Sequence, residues 1–254
     1  MKKRTVKKLS SRKQKILGAV VHDYLHSAEP VSSEKISKKY IKDVSTATIR
    51  NELAELESEG FLTHPHTSAG RIPADPGYRY FVDQLMKTKG LTPKEMVFLK
   101  TQYLTAGQKL EELLHTTLKV AATLSHLLAV VTVPNMPFKV LSSGLTNIAD
   151  QPEFRDSDHI RNILDMIEHE DEMEELTGEL TKDSSLTIKI GSEIKHKKIR
   201  DCSIVISRYE LPRNFAGTIS IIGPTRMTYD KVSSIVETVS KTLKEMLTEG
   251  MEID

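Results

Sequence analysis

The sequence holds one cysteine, Cys202, and no tryptophan among 254 residues. A lone thiol excludes an internal disulfide and any metal site built from several cysteines. Aromatic residues make up 5% of the chain, and no basic-aromatic stacking motif stands out, which argues against a protein that grips single strands by base stacking. No apolar stretch approaches the roughly 20 residues that a helix needs to cross a bilayer. The opening "MKKRTVKKLSSRKQK" is basic, yet no apolar segment follows it, so it is not a secretory signal and a cytoplasmic location is the default expectation. Neither sign of charge dominates, since the net charge is +1. That average hides a division. Residues 1–100 carry 19 Lys and Arg against 11 Asp and Glu, and the remainder carries 17 against 24. A basic front and an acidic back suggest a polyanion-binding module joined to something else. The alternative is a solvated lysine tail, because eight of the positive charges fall in the first 15 residues.

What is present begins with three short helical patterns. Ile16, Leu17, Val20, Val21 and Tyr24 recur at helical spacing from Ser11 to about Ser27, and Pro30 disfavours helix at Glu29. Ser33 to Tyr40 fits a second helix, capped by Ser32, with Ile36 and Tyr40 inward. Ser45 to about Glu59 fits a third, stopped by Gly60. Then "FLTHPHTSAGRIP" reads as two short strands around a loop, and "ADPGYRYFVDQLM" turns into another helix. Helix, helix, turn, helix and hairpin is the layout of a winged helix-turn-helix.

The third helix can be read by position. Ile49, Leu53 and Leu56 share one face and should pack inward, while Ala47, Arg50, Asn51, Ala54 and Ser58 share the other. A recognition helix brings its N-terminal residues to base edges in the major groove. Small residues at Ser45, Thr46, Ala47 and Thr48 permit close approach. Arg50 suits guanine and Asn51 suits adenine, each by two hydrogen bonds. The competing reading makes Ser45 only a helix cap and pairs Arg50 with nearby glutamates. In the hairpin, Gly70 would allow a tight turn and set Arg71 on a phosphate or in the minor groove. His64 with His66, and His22 with His26, lack the further ligands of a metal site and read as polar surface.

These residues also carry a resemblance. "EPVSSEKISKKY", "STATIRNELAELESEGFLTHPHTSAGRIP" and "GYRYFVD" closely resemble the bacterial heat-inducible transcription repressor family. The likeness resumes at "LTNIADQPEF", "LDMIE", "IKIG" and "GTISIIGPTRMTY" and covers most of the chain. It implies an N-terminal winged helix, a GAF-type sensor domain and a dimerising segment inserted in that domain. It further implies a homodimer that represses chaperone operons at an inverted-repeat operator, with chaperonin supporting its activity. Between "LAVVTVPNM" and "FKVLSSGLTNI" the family carries many tens of residues more, where only a few join the two pieces here. The chain therefore reads as a naturally shortened member, with the inserted dimerisation segment largely missing.

The second half reads as an α+β layer arrangement. Pro93 to Leu128 fits one long helix or two, with an apolar stripe through Leu110, Leu113, Leu114, Leu118, Leu124, Leu127 and Leu128 that packs on the chain's own sheet or on a second copy. "AVVTVP" and "FKVLSSG" are strands around a Pro-Asn-Met-Pro turn. Asp158 to Glu175 is helical, with Ile160, Ile163, Leu164 and Ile167 on one side and an acidic, solvated end. "SLTIKIG", "CSIVISRYEL" and "FAGTISIIGP" are strands, the last two joined at "LPRN", and Thr228 to about Thr248 is the closing helix. Cys202 is a core residue in its strand. "GPTRM" lacks the glycine-lysine pattern of a phosphate loop.

The division expected is a winged helix-turn-helix DNA-binding domain over 1–88 and a GAF-like regulatory and dimerisation domain over 89–254. The partners expected are double-stranded DNA, a second copy and chaperonin, with no membrane, metal or cofactor. Heat control would come from lost dimer or fold stability. A small-ligand sensor in the second half is the runner-up. An enzyme with a winged-helix adaptor finds no acid, base or nucleophile cluster to support it.

Overall fold

The computed structural model describes residues 8–65, 70–107, 109–134, 136, 139–154, 157–182, 185–210 and 216–250. The basic residues 1–7, His66 and the turn expected at 211–214 lie outside them. The chain divides into two compact units, Met1–Lys87 and Thr88–Asp254.

In the first unit α1 spans Ser11–Ser27, and the Ser10 hydroxyl caps it by accepting from the Lys13 N–H at 3.2 Å. It stops before Pro30 acts. Ala28 turns left-handed at φ 55°, and its N–H reaches the Tyr24 carbonyl at 3.0 Å. Helix α2 spans Ser33–Lys39 behind Ser32, and α3 spans Thr46–Ser58 behind Ser45. Gly60 at φ 79° ends α3 in the left-handed conformation that glycine tolerates best. Strands β1, Leu62–Thr63, and β2, Ile72–Pro73, pair antiparallel with Leu62 opposite Pro73. Helix α4, Asp75–Tyr80, runs on into a π-helical turn over Phe81–Leu85. The core is the one that periodicity predicts. Ile16, Leu17 and Val20 of α1 and Ile36 of α2 are fully buried with Ile49 and Leu56 of α3. Tyr24 and Tyr40 are only half-buried.

Gly70 differs from its expected role. Its backbone is not left-handed; it lies where Val31 and Arg71 exchange N–H···O=C bonds of 2.9 Å. A Cβ there would stand 2.6 Å from the Val31 carbonyl. The glycine allows the hairpin to press on the α1–α2 connection rather than to turn.

The second unit is a five-stranded antiparallel sheet between two helical layers. The strands are β3 (Leu128–Thr132), β4 (Val140–Ser143), β5 (Leu186–Ile190), β6 (Cys202–Glu210) and β7 (Ala216–Pro224). Their order is β4-β3-β7-β6-β5. The stretch from Pro93 forms two helices, α5 (Pro93–Leu104) and α6 (Leu110–Ser125). Leu127 and Leu128 are not on the helix, because His126 turns left-handed at φ 54° and Leu128 opens β3. Beyond β4 come α7 (Leu145–Ala149), α8 (Ser157–Glu168) and α9 (Glu170–Leu180). The acidic stretch is thus two helices broken at His169, and the second runs past Glu175. In α8, Met166 is buried where Leu164 was expected; Leu164 is exposed. The closing helix α10 spans Tyr229–Gly250.

Alternation along the strands assigns each face. Leu128, Val130, Ile204, Ile206 and Ile222 pack with Ile148 of α7, Ile163 of α8 and Met173 of α9. The other face takes α6 and α10, through contacts such as Ser203 Oγ to Tyr229 OH at 2.8 Å and Ser207 Oγ to Ser240 Oγ at 3.2 Å. Cys202 is buried, and burial pushes its thiol up to about 12, with Asp201 adding to the effect, so it behaves as a core residue. No helix among the described residues is long and apolar enough to cross a membrane.

Candidate nucleic-acid interface

Helix α3 is held on its inner side by Ile49, Leu53 and Leu56, all buried. Helix α2, on which α3 packs, is tied to α1 by Asp23, which is 3% exposed. That carboxylate takes the Lys35 ammonium at 2.5 Å, Lys39 at 3.1 Å and the Tyr40 hydroxyl at 2.9 Å. Burial works to raise its pKa, but these three partners outweigh burial and hold it below the usual carboxylate range. Asp23 so ties α1 to the end of α2, and Ser37 Oγ donates to the Val44 carbonyl at 3.4 Å in the turn that follows.

The leading turn of α3 is capped. The Ser45 hydroxyl accepts from the Thr48 N–H at 3.1 Å and lies 2.9 Å from the Thr48 Oγ1. Thr46 and Thr48 are half-buried; Ser45 and Ala47 are exposed. Arg50, Asn51, Ala54 and Ser58 are exposed as well, so the outward strip is the one expected from helical spacing. First-turn N–H groups without an acceptor inside the helix, together with the helix dipole, add a positive field at this end.

The acidic residues of α3 do not face Arg50. Glu52 meets Arg12 at 3.6 Å, while Glu55 and Glu59 both take Lys13 at 2.8 Å. The hydrogen bonds it donates to Glu55 and then to Glu59 hold the Lys13 ammonium well above the usual lysine range. Glu57 pairs with His64 and, at 2.7 Å, with the Arg71 Nε. Each carboxylate is thereby drawn toward α1 or the hairpin. Among the described residues none pairs with Arg50, and the outward strip keeps its positive charge.

Arg71 is not displayed at a hairpin tip. Its side chain is 23% exposed and lies on Glu57, in the C-terminal half of α3. His64 shares that carboxylate. His22 and His26 stack at 4.7 Å, and His26 Nδ1 lies 2.7 Å from the His22 carbonyl. Among the described residues no group of three or more His, Cys, Asp or Glu side chains is arranged to hold a metal ion. The acidic end of α8 and α9 is partly paired, with Glu172 on Lys198 at 2.8 Å and Asp171 on Lys139 at 2.7 Å.

Three residues escaped the sequence reading. Lys38, at the end of α2, and Lys42, in the turn before α3, are exposed and form no ion pair among the described residues. Their signal lay in position, because both sit on the approach to the outward strip. Glu57 also escaped, since nothing in a helical periodicity marks which of several glutamates a distant hairpin will meet.

Comparison with known proteins bears on what this strip serves. Residues 135–233 match the family described as the HrcA protein C terminal domain. A heat-inducible transcription repressor HrcA of Desulforamulus reducens is 30% identical over 338 residues, covering 94% of this chain and 97% of its own length. Its counterpart in Carboxydothermus hydrogenoformans is 30% identical over 337 residues, covering 94% and 98%. Alignments of that length against 254 residues mean that these relatives carry a segment the present chain lacks. A crystal structure described as that of a hypothetical protein superposes with a TM-score of 0.81 at 19% identity, over 95% of this chain and 99% of that one. It supports the mixed helix-and-sheet fold.

Proposed function

The chain belongs to the HrcA family, whose named members are heat-inducible transcription repressors, and on that premise we propose that it represses heat-shock genes by seating α3 in the major groove of an inverted-repeat operator. It is a regulator of transcription and not an enzyme. In this reading residues 1–88 act as a winged helix-turn-helix, with β1 and β2 as the wing. Residues 89–254 act as a GAF-like regulatory and dimerising domain, in keeping with an antiparallel sheet covered by helices on both faces. The repressor works in the cytoplasm as a homodimer, because each half of an inverted repeat takes one recognition helix. Chaperonin supports its active state, and heat stress withdraws that support.

The observation that carries the reading is the outward strip of α3. Ala47, Arg50 and Asn51 are exposed there, while Glu52, Glu55, Glu57 and Glu59 are all engaged on other sides. Arg50 and Asn51 are the base readers; Ser45, Thr46, Ala47 and Thr48 let the helix end approach the groove. Arg71, oriented by Glu57, lies over a phosphate, and Lys38 and Lys42 supply further backbone contacts.

The test is a salt series of binding to an inverted-repeat duplex beside a scrambled one. The specific complex should survive at salt concentrations that abolish the nonspecific one. Equal loss of both would sink base readout. Heat control is tested by following operator affinity through the heat-shock range with and without chaperonin, and an affinity unchanged in both series rules it out.

A further inference from the structure

A groove of about 900 Å³ opens between α5 and α10 in the second unit, with Leu91, Met96, Leu104 and Met246 in its apolar lining. Leu104 is 85% exposed and Val97, also on α5, is 64% exposed. Two of the three exposed large hydrophobics among the described residues therefore stand on one helix. Scattered apolar residues on a surface mean little, but a groove flanked by projecting ones marks a surface that another body covers.

The charges identify that body. Lys100 on α5 and Glu237 on α10 line the groove, both are exposed, and neither has an ion-pair partner among the described residues. The two are opposite in sign and stand on opposite walls. A ligand of one charge would satisfy one and leave the other. A second copy of the same surface, turned by a two-fold axis, satisfies both at once, because in such a contact residue i meets residue j and j meets i.

We propose that this groove is the surface through which two copies of the chain associate, with Leu104 of each copy seated in the groove of the other and Lys100 of each facing Glu237 of the other. The inference rests on the dimeric reading above and deepens it, since it assigns the contact to a surface outside the segment that the relatives carry and this chain lacks. The apolar stripe read from Leu110 to Leu128 is a different surface: it packs inside the molecule, as with Leu113, Leu114 and Leu118, and Val97 and Leu104 of α5 stand outside it.

The test uses the full chain in sedimentation experiments. The wild-type protein should be dimeric at micromolar concentration, and Leu104→Asp should weaken the dimer by roughly tenfold or more while leaving the circular dichroism unchanged. Lys100→Glu alone and Glu237→Lys alone should each be monomeric under the same conditions, because each sets like charges together twice. Mixing these two variants should restore a heterodimer, since every cross-pair is then opposite in sign. Pairing within one chain predicts no recovery on mixing, and that result overturns the proposal. A wild-type dimer that persists in Leu104→Asp also overturns it, while leaving the dimeric repressor intact. A monomeric wild type overturns both the surface and the homodimer; saturable binding of the apolar dye ANS, lost in Leu104→Asp, would then give the groove to a small amphiphile.

Discussion

At the scale of the residue, the outward strip of α3 separates two kinds of contact. Arg50→Ala and Asn51→Ala should each cost about 1–3 kcal/mol of operator binding, with little change for scrambled DNA, measured by fluorescence anisotropy. Arg71→Ala should behave differently. It weakens both duplexes alike, and it also lowers the melting temperature, because it removes a cation from the partly buried Glu57. Combined with Glu57→Gln, the two losses should fall short of their sum by about 0.5–3 kcal/mol, as for groups in one network. A second titratable residue makes a prediction about pH. The Lys231 hydrogen bond, and then the Thr92 N–H, hold Glu95 at about 2 against an ordinary 4.5. A carboxylate with a depressed pKa adds stability above its unfolded value and loses it as pH falls through its folded value. Denaturant midpoints should therefore decline from about pH 4.5 toward about pH 2, and Glu95→Gln should flatten part of that decline.

At the scale of the element, two glycines hold the hairpin region close. A Cβ on Gly70 would stand 2.6 Å from the Val31 carbonyl, and one on Gly77 would stand 2.1 Å from the Phe61 carbonyl oxygen. Backbone cannot yield as a side-chain tip does. Gly70→Ala and Gly77→Ala should each destabilise the chain by about 1–3 kcal/mol in urea unfolding, whereas Gly178→Ala, with open space around it, should not. This pair also marks where the sequence stops being readable. Three helices and a hairpin were legible because Ile16, Ile49 and Leu56 repeat at helical spacing and Ser32, Ser45 and Gly60 punctuate them. The reason for Gly70 was not, because Val31 is distant in sequence and its approach is tertiary. The same limit explains the second unit. Leu127 and Leu128 continue the apolar pattern of α6, so only the left-handed turn at His126 reveals that the helix has ended. Residues 158–175 read as one helix with an acidic end because the break at His169 carries neither proline nor glycine. For the strip on α3, Arg50 and Asn51 were readable from the helix alone. The Glu57–Arg71 pair needed the hairpin folded back.

At the scale of the whole molecule, the chain divides at Lys87, which is exposed. Limited trypsin digestion should cut there early and leave two folded fragments, seen by mass spectrometry and circular dichroism, because connections between compact units expose their backbone. Operator affinity should fall sharply after the cut, since two recognition helices are then no longer joined through the second unit. The sheet of that unit has one further consequence. The Val133 N–H reaches the Lys139 carbonyl at 2.8 Å, and β3 and β4 continue the pairing from there. The two strand ends are neighbours whatever lies between them. A long passenger can leave that position, or enter it, without moving a rung of the ladder. A fluorescent reporter spliced between residues 134 and 138 would occupy the same berth and turn the repressor into its own gauge.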